Sequence, residues 1–148
     1  MLALPVSVLP AGAAVKRTVA QKKQAANTQF ERAQQLREEL NGTPKDERSA
    51  DEYQQVIEAF RKVYYTAPTS SKADESVLAV AELFSEMGRD LDDDKYSQNA
   101  IGQYEYLRRE YPGSRYRIES LFAIGQICHE QLGDDAKAIW MTRFLIFL

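Results

Sequence analysis

The chain has 148 residues, of which 44% are hydrophobic and 28% charged. That size gives room for one domain or a short repeat array. The net charge of −3 argues against a general nucleic-acid binder, whose affinity would rest on Lys and Arg neutralising phosphates. Cys128 is the single cysteine, so no intrachain disulfide can form and a thiolate metal cluster lacks ligands.

The first residues, MLALPVSVLPAGAAVKR, form a short apolar run followed by Ala11-Gly12-Ala13, a small-x-small pattern that signal peptidase cleaves. Residues 1–13 are therefore read as an export signal or its remnant, although the Lys or Arg that should precede the apolar run is missing. The mature chain would begin near Ala14 and reside in the cell envelope, periplasmic or exported. If the segment is instead an apolar tail that is retained, the protein is a cytoplasmic adaptor. A transmembrane span is not expected, because the run falls short of the roughly 20 apolar residues required and Pro5 and Pro10 interrupt it.

Residues 16–40, rich in Gln, Ala, Glu, Lys and Arg, read as a first helix ended by Asn41-Gly42 and Pro44. A second starts at Ser49, an N-cap with Glu52 three positions on, and carries Tyr53, Val56, Ile57, Phe60 and Val63 at helical spacing until Pro68. The third, residues 72–87, shows Val77, Leu78, Val80, Ala81 and Phe84 and is expected to close on Gly88. The linker GRDLDDDKYSQN is expected to bulge before a fourth helix at 95–110, with Tyr96, Ala100, Ile101, Tyr104 and Leu107, which stops at Pro112-Gly113. A fifth helix at 115–132 carries Leu121, Phe122, Ile124, Gly125 and Cys128 and ends at Gly133; a sixth begins near Asp134. No alternating strand pattern competes.

The connector TAPTSSKADES at 66–76 returns as EYPGSRYRIES at 110–120, 44 residues later. With the same step Val56, Phe60 and Val63 fall on Ala100, Tyr104 and Leu107, while Leu78, Ala81 and Phe84 fall on Phe122, Gly125 and Cys128. Ala138, Ile139 and Leu145 begin a further copy by matching Ala100, Ile101 and Leu107, and Phe30, Ala33 and Leu36 match Leu78, Ala81 and Phe84 in the first helix. The chain thus reads as about three helix-turn-helix units, at 14–68, 69–112 and 113–148, the last one truncated. The ending AIWMTRFLIFL lacks the polar capping helix that solenoids need, so a fragment, a frameshifted end, or a covering domain or chain is expected to explain Trp140, Phe144, Ile146, Phe147 and Leu148.

Candidate chemistry is sparse. His129 beside Cys128 has the composition of a ligand or nucleophile pair, but adjacent helical residues point about 100° apart, and the residues read as Cys128 in the core with His129 on a groove. The run Asp90, Asp92, Asp93 and Asp94 has carboxylates of calcium-loop type, yet Lys95 stands where such a loop needs Gly and Ile101 where it needs Glu; a solvated, helix-capping loop is the expectation. Arg108, Arg109, Arg115 and Arg117 read as cations complementing a helix C-terminus, with attraction of an acidic partner or anionic lipid as the alternative. The tyrosines at 53, 64, 65, 96, 104, 106, 111 and 116 read as packing between units.

The small residue in the first helix of each pair (Ala81, Gly125), the residue three positions on (Phe84, Cys128), Ala in the second helix (Ala100, Ala138) and the closing Pro (Pro68, Pro112) together resemble tetratricopeptide repeats, normally about 34 residues each. The segment YEYLRREYPGSRYRIESLFAIGQI is similar to the repeats of bacterial envelope proteins, such as outer-membrane assembly lipoproteins and the cell-division coordinators that accompany the Tol system. The resemblance implies an all-α fold, a right-handed α-solenoid, and a non-catalytic scaffold that holds a peptide or partner helix in a concave groove without a cofactor. By the same resemblance the groove positions are Leu78, Glu82 and Ser85 in the middle unit and Phe122, Gln126 and His129 in the next, with Glu75 and Glu119 at the rim. A narrower similarity, in APTSSKADESVLAVAELFSEMGR and AIGQYEYLRREYPGS, is to repeat regions preceding the catalytic domain of some bacterial N-acetylmuramoyl-L-alanine amidases. A zinc amidase needs His and Glu ligands that the single histidine here does not supply, so under this alternative the catalytic domain lies outside the chain.

Overall fold

The computed structural model describes residues 18–146, with backbone alone for 142 and 144–146. Residues 1–13, read above as an export signal, lie outside the described part. Six α-helices follow one another: α1 (Val19–Gly42), α2 (Ala50–Thr66), α3 (Ala73–Asp90), α4 (Asp94–Glu110), α5 (Arg117–Glu130) and α6 (Asp135–Ile146), with a short 3₁₀ turn at Lys45–Glu47. No strand occurs among the described residues, so the all-helical expectation holds. The helices pack chiefly against their neighbours in the chain, most extensively within the pairs α1–α2, α3–α4 and α5–α6.

Local chemistry explains where the helices begin. At Ser49 the hydroxyl accepts the Glu52 N–H while the Glu52 carboxylate accepts the Ser49 N–H at 2.7 Å, a reciprocal cap that satisfies two donors with no intrahelical partner. The same arrangement starts α1, where Thr18 and Gln21 cap each other at 3.2 and 2.8 Å. That cap places the start at Val19, three residues beyond the sequence expectation, since Gln serves as well as Glu at the third helical position.

The duplicated connector is duplicated in three dimensions. The Ser70 N–H donates to the Ala67 carbonyl and the Ala73 N–H to the Ser70 carbonyl; 44 residues on, Ser114 donates to Tyr111 and Arg117 to Ser114. The hydroxyls of Ser76 and Ser120 donate back to the carbonyls of Lys72 and Tyr116 at 2.6 and 2.7 Å. A helix-ending proline, a serine turn and a back-bonding serine therefore impose one geometry twice. A cross-link adds to it: Ser114 Oγ donates to Asp74 at 2.7 Å, which ties the second connector to the start of α3.

Two expectations about the middle of the chain are corrected. Helix α3 does not close on Gly88 but runs to Asp90, and the linker does not bulge: only Leu91, Asp92 and Asp93 separate α3 from α4. Asp92 takes a positive φ of 51° to make this tight turn, a region in which Asp is tolerated. Gly88 is buried inside α3, and a Cβ there would stand 2.9 Å from the Ser97 backbone nitrogen and 3.3 Å from its Cα. The glycine therefore allows α4 to approach α3 closely. Gly125 is less constrained, because a Cβ would meet Met141 and Ala138 of α6 only at ordinary van der Waals distances of 3.7 and 3.8 Å.

The core runs the length of the stack, from Ala26, Phe30 and Ala33 through Phe60, Val77, Ala81 and Leu107 to Leu121, Ile124 and Cys128. Phe30 and Phe60 meet edge to face at 5.8 Å between ring centroids, a geometry that adds to area burial.

Candidate binding groove

Helices α1, α3 and α5 contribute to two adjoining recesses. The first, about 230 Å³, is lined by Phe30, Gln34 and Arg37 of α1 and by Glu75, Leu78 and Glu82 of α3, among others. The second, about 310 Å³, takes Arg37 and Glu82 as its shared boundary and continues through Ser85, Glu86 and Arg89 to Gln126 and Glu130 of α5. The guanidinium of Arg37 donates to Glu82 at 2.7 Å and to Glu86 at 3.1 Å. Burial acts to lower the Arg37 pKa, but the attraction of the two carboxylates outweighs it and the pKa stands above its ordinary value. At the mouth of the first recess Lys72 bonds Glu75 at 3.0 Å and lies over the Phe30 ring, 4.5 Å from its centroid.

The field at the centre is negative. The Tyr104 phenol, which lines the second recess, is pushed up by burial and further by Glu82, Glu119 and Glu86. The lining carboxylates Glu75, Glu82, Glu86 and Glu130 outnumber the cations Arg37 and Arg89 together with Lys72, which is bonded to Glu75, so the wall carries an excess of negative charge.

Of the positions assigned to the groove, Glu75, Leu78 and Glu82 line the first recess, and Glu82, Ser85 and Gln126 the second. Leu78 and Ser85 are only 8% and 7% exposed, so they form floor rather than contact surface. Ser85 also accepts from Gln131 at 3.0 Å, and Gln131 in turn accepts from Ser97 at 2.7 Å, a link that fastens the end of α5 to α3 and α4. Phe122 and His129 lie apart from these recesses. They line a third cavity of about 490 Å³ between α5 and α6, which shares Gln126 and Glu130 with the second recess. Glu119 is exposed and lines none of the three.

Phe30, Gln34 and Arg37 also line these recesses, beyond the positions assigned from the sequence. The signal was present: Ala33 precedes Ala81 by 48 residues, and the same step takes Leu78, Glu82 and Ser85 to Phe30, Gln34 and Arg37. Glu86, Arg89 and Tyr104 had no such signal, because Glu86 and Arg89 are adjoining α3 positions and Tyr104 reaches in from α4.

The other candidates fall into place. Cys128 is fully buried, with its thiol pKa raised by burial, and His129 is exposed and bonded through Nδ1 to Asp135 at 2.6 Å. Asp90 turns inward to accept the Tyr53 hydroxyl at 2.6 Å with Arg48 at 3.7 Å, and Asp93 caps α4 by accepting the Lys95 N–H. Among the described residues no group of three or more His, Cys, Asp and Glu side chains could hold a metal ion. Arg109 pairs with Glu110 at 2.7 Å, Arg117 donates to the Pro112 carbonyl at 3.2 Å, and Arg115 lies over the Tyr116 ring. Tyr64 packs against Tyr65 and Tyr106, and Tyr106 against Tyr111. None of the described helices is long and apolar enough to cross a membrane.

No family profile matches the chain, and neither a curated protein nor a solved structure matches it at a significant level.

Proposed function

We propose that the chain is a non-catalytic scaffold of the tetratricopeptide type, a right-handed solenoid of about three units whose inner wall, made of α1, α3 and α5, holds a peptide or partner helix. The observation that carries this reading is the correspondence of the recesses: residues 30, 34 and 37 of α1 and residues 78, 82 and 85 of α3 occupy matching repeat positions and meet across the Arg37–Glu82 pair. A wall built by repetition, apolar at Phe30 and Leu78 and polar at Gln34, Glu82 and Gln126, offers an extended polypeptide a row of similar contacts. The similarity to envelope repeats and the small-x-small pattern at residues 11–13 support placement in the bacterial cell envelope.

The test uses the intact chain as bait against a displayed library of random peptides. Selected peptides are expected to bind the wild-type chain and to lose at least about tenfold in affinity on Gln34→Arg combined with Arg89→Glu, two exposed wall positions where the changes add a positive charge on α1 and replace a positive by a negative charge on α3. Peptides that bind both chains equally would show that the contact lies elsewhere.

A further inference from the structure

The cavity between α5 and α6 is different in kind from the groove. Leu121, Phe122, Gly125, Ala138 and Ile139 make its floor apolar, and it is flanked at one end by His129, Glu130 and Asp135 and at the other by Arg143. Phe122 is 56% and Ile139 59% exposed, and Ile118 and Trp140 on the same two helices are 62% and 60% exposed. Their repeat equivalents one unit earlier, Leu78 and Ile101, are buried to 8% and 6%. Among the described residues the same pair of positions is thus covered on α3 and α4 and uncovered on α5 and α6.

The charges say which cover fits. Asp135 and Arg143 lie eight residues apart on α6, about 12 Å along its axis, with the apolar floor between them. Among the described residues neither Arg143 nor Glu130 is held in an ion pair. A helix docking in the direction that continues the stack would set the basic start of α1 (Lys22, Lys23) and the Lys62 end of α2 against Arg143, and Glu39 and Glu52 against Glu130 and Asp135. A second copy turned by 180° about an axis through Phe122 and Ile139 instead brings each acidic end onto the other copy's Arg143. A face that is acidic at one end, basic at the other and apolar between is complementary to itself under a two-fold rotation and under no simple translation.

We propose that the α5–α6 face is an isologous dimer interface, closed by Phe122 and Ile139 at its centre and by reciprocal pairing of Arg143 with Glu130 and Asp135. The first recess, around Phe30, Arg37 and Leu78, shares no residue with this face, whereas Gln126 and Glu130 belong both to it and to the second recess. Sedimentation equilibrium of the intact chain from micromolar to millimolar concentration is expected to give a monomer–dimer equilibrium. Phe122→Glu and Ile139→Glu, both at exposed sites, are expected to raise the dimer dissociation constant at least about tenfold with an unchanged helical circular-dichroism spectrum. Charge reversal supplies a second arm that does not depend on packing: Arg143→Glu and Asp135→Arg each weaken self-association when alone, and an equimolar mixture of the two variants restores the dimer as a heterodimer. A wild-type chain that stays monomeric, assemblies larger than a dimer, or a mixture no tighter than its components would overturn the proposal.

Discussion

Asp90→Ala is expected to lower the unfolding free energy by about 3 kcal/mol, as removal of one partner of a buried ion pair does. The Asp90 carboxylate accepts the Tyr53 hydroxyl at 2.6 Å and stands 3.7 Å from Arg48, both charged side chains being less than a tenth exposed. Arg48 in turn donates to the carbonyls of Thr43 and Asn41 at the end of α1 at 2.9 and 3.4 Å. The network therefore locks the α1–α2 connector, α2 and the last turn of α3 together, and the variant leaves a guanidinium without its counter-charge. Chemical denaturation of both chains measures the loss; Arg48→Met added to Asp90→Ala should recover part of it, because the stranded charge is then gone. The Tyr53 phenol adds an alkaline signature. Burial, then the bond to Asp90, pushes its pKa up to about 12, above the ordinary value near 10. A raised folded-state value means that the stabilisation is complete below about pH 10 and drains away as the pH climbs through 12, a loss that Tyr53→Phe should reduce.

Gly88→Ala is expected to destabilise the protein by about 2 kcal/mol, although alanine is the better helix former by roughly 1 kcal/mol. The new methyl would stand 2.9 Å from the Ser97 backbone nitrogen, and backbone cannot rotate out of the way, so α3 and α4 must part and strain follows. Gly102 provides the contrast within the same molecule. It lies exposed in α4 with nothing within 4 Å of a Cβ, so Gly102→Ala should raise stability by about 0.5–1 kcal/mol. Opposite signs in a pair of thermal melts identify close helix approach, rather than glycine content, as the reason for Gly88.

Most of the helical plan is legible in the chain because its signals are local. Ser49 with Glu52 marks a start, Pro68 and Pro112 mark stops, and the serines at 70, 76, 114 and 120 dictate the same turn twice. Gly88 misleads because glycine both ends helices and permits close packing, and the deciding neighbour, Ser97, is nine residues further on in another helix. The acidic run misleads for a related reason: Asp90 reads as solvated, but its partners Tyr53 and Arg48 are long-range contacts that spacing along the chain does not reveal. Of the assigned positions those on α3 are legible from its small residue, Ala81, whereas Phe122 and His129 line another cavity because they face α6. Arg37 joins the two recesses through a bond spanning 45 residues, visible in the sequence only when the 48-residue step from Ala81 back to Ala33 is carried over to the groove positions.

Amide chemical-shift mapping with a selected peptide tests the wall directly. Binding through it perturbs Gln34 and Arg37 on α1, Glu82 and Glu86 on α3, and Gln126 on α5, in one continuous track, and leaves Tyr65, Gly102 and Glu105 on the even-numbered helices where they were. Perturbations centred on those three residues, with the Arg37–Glu82 region silent, would contradict it.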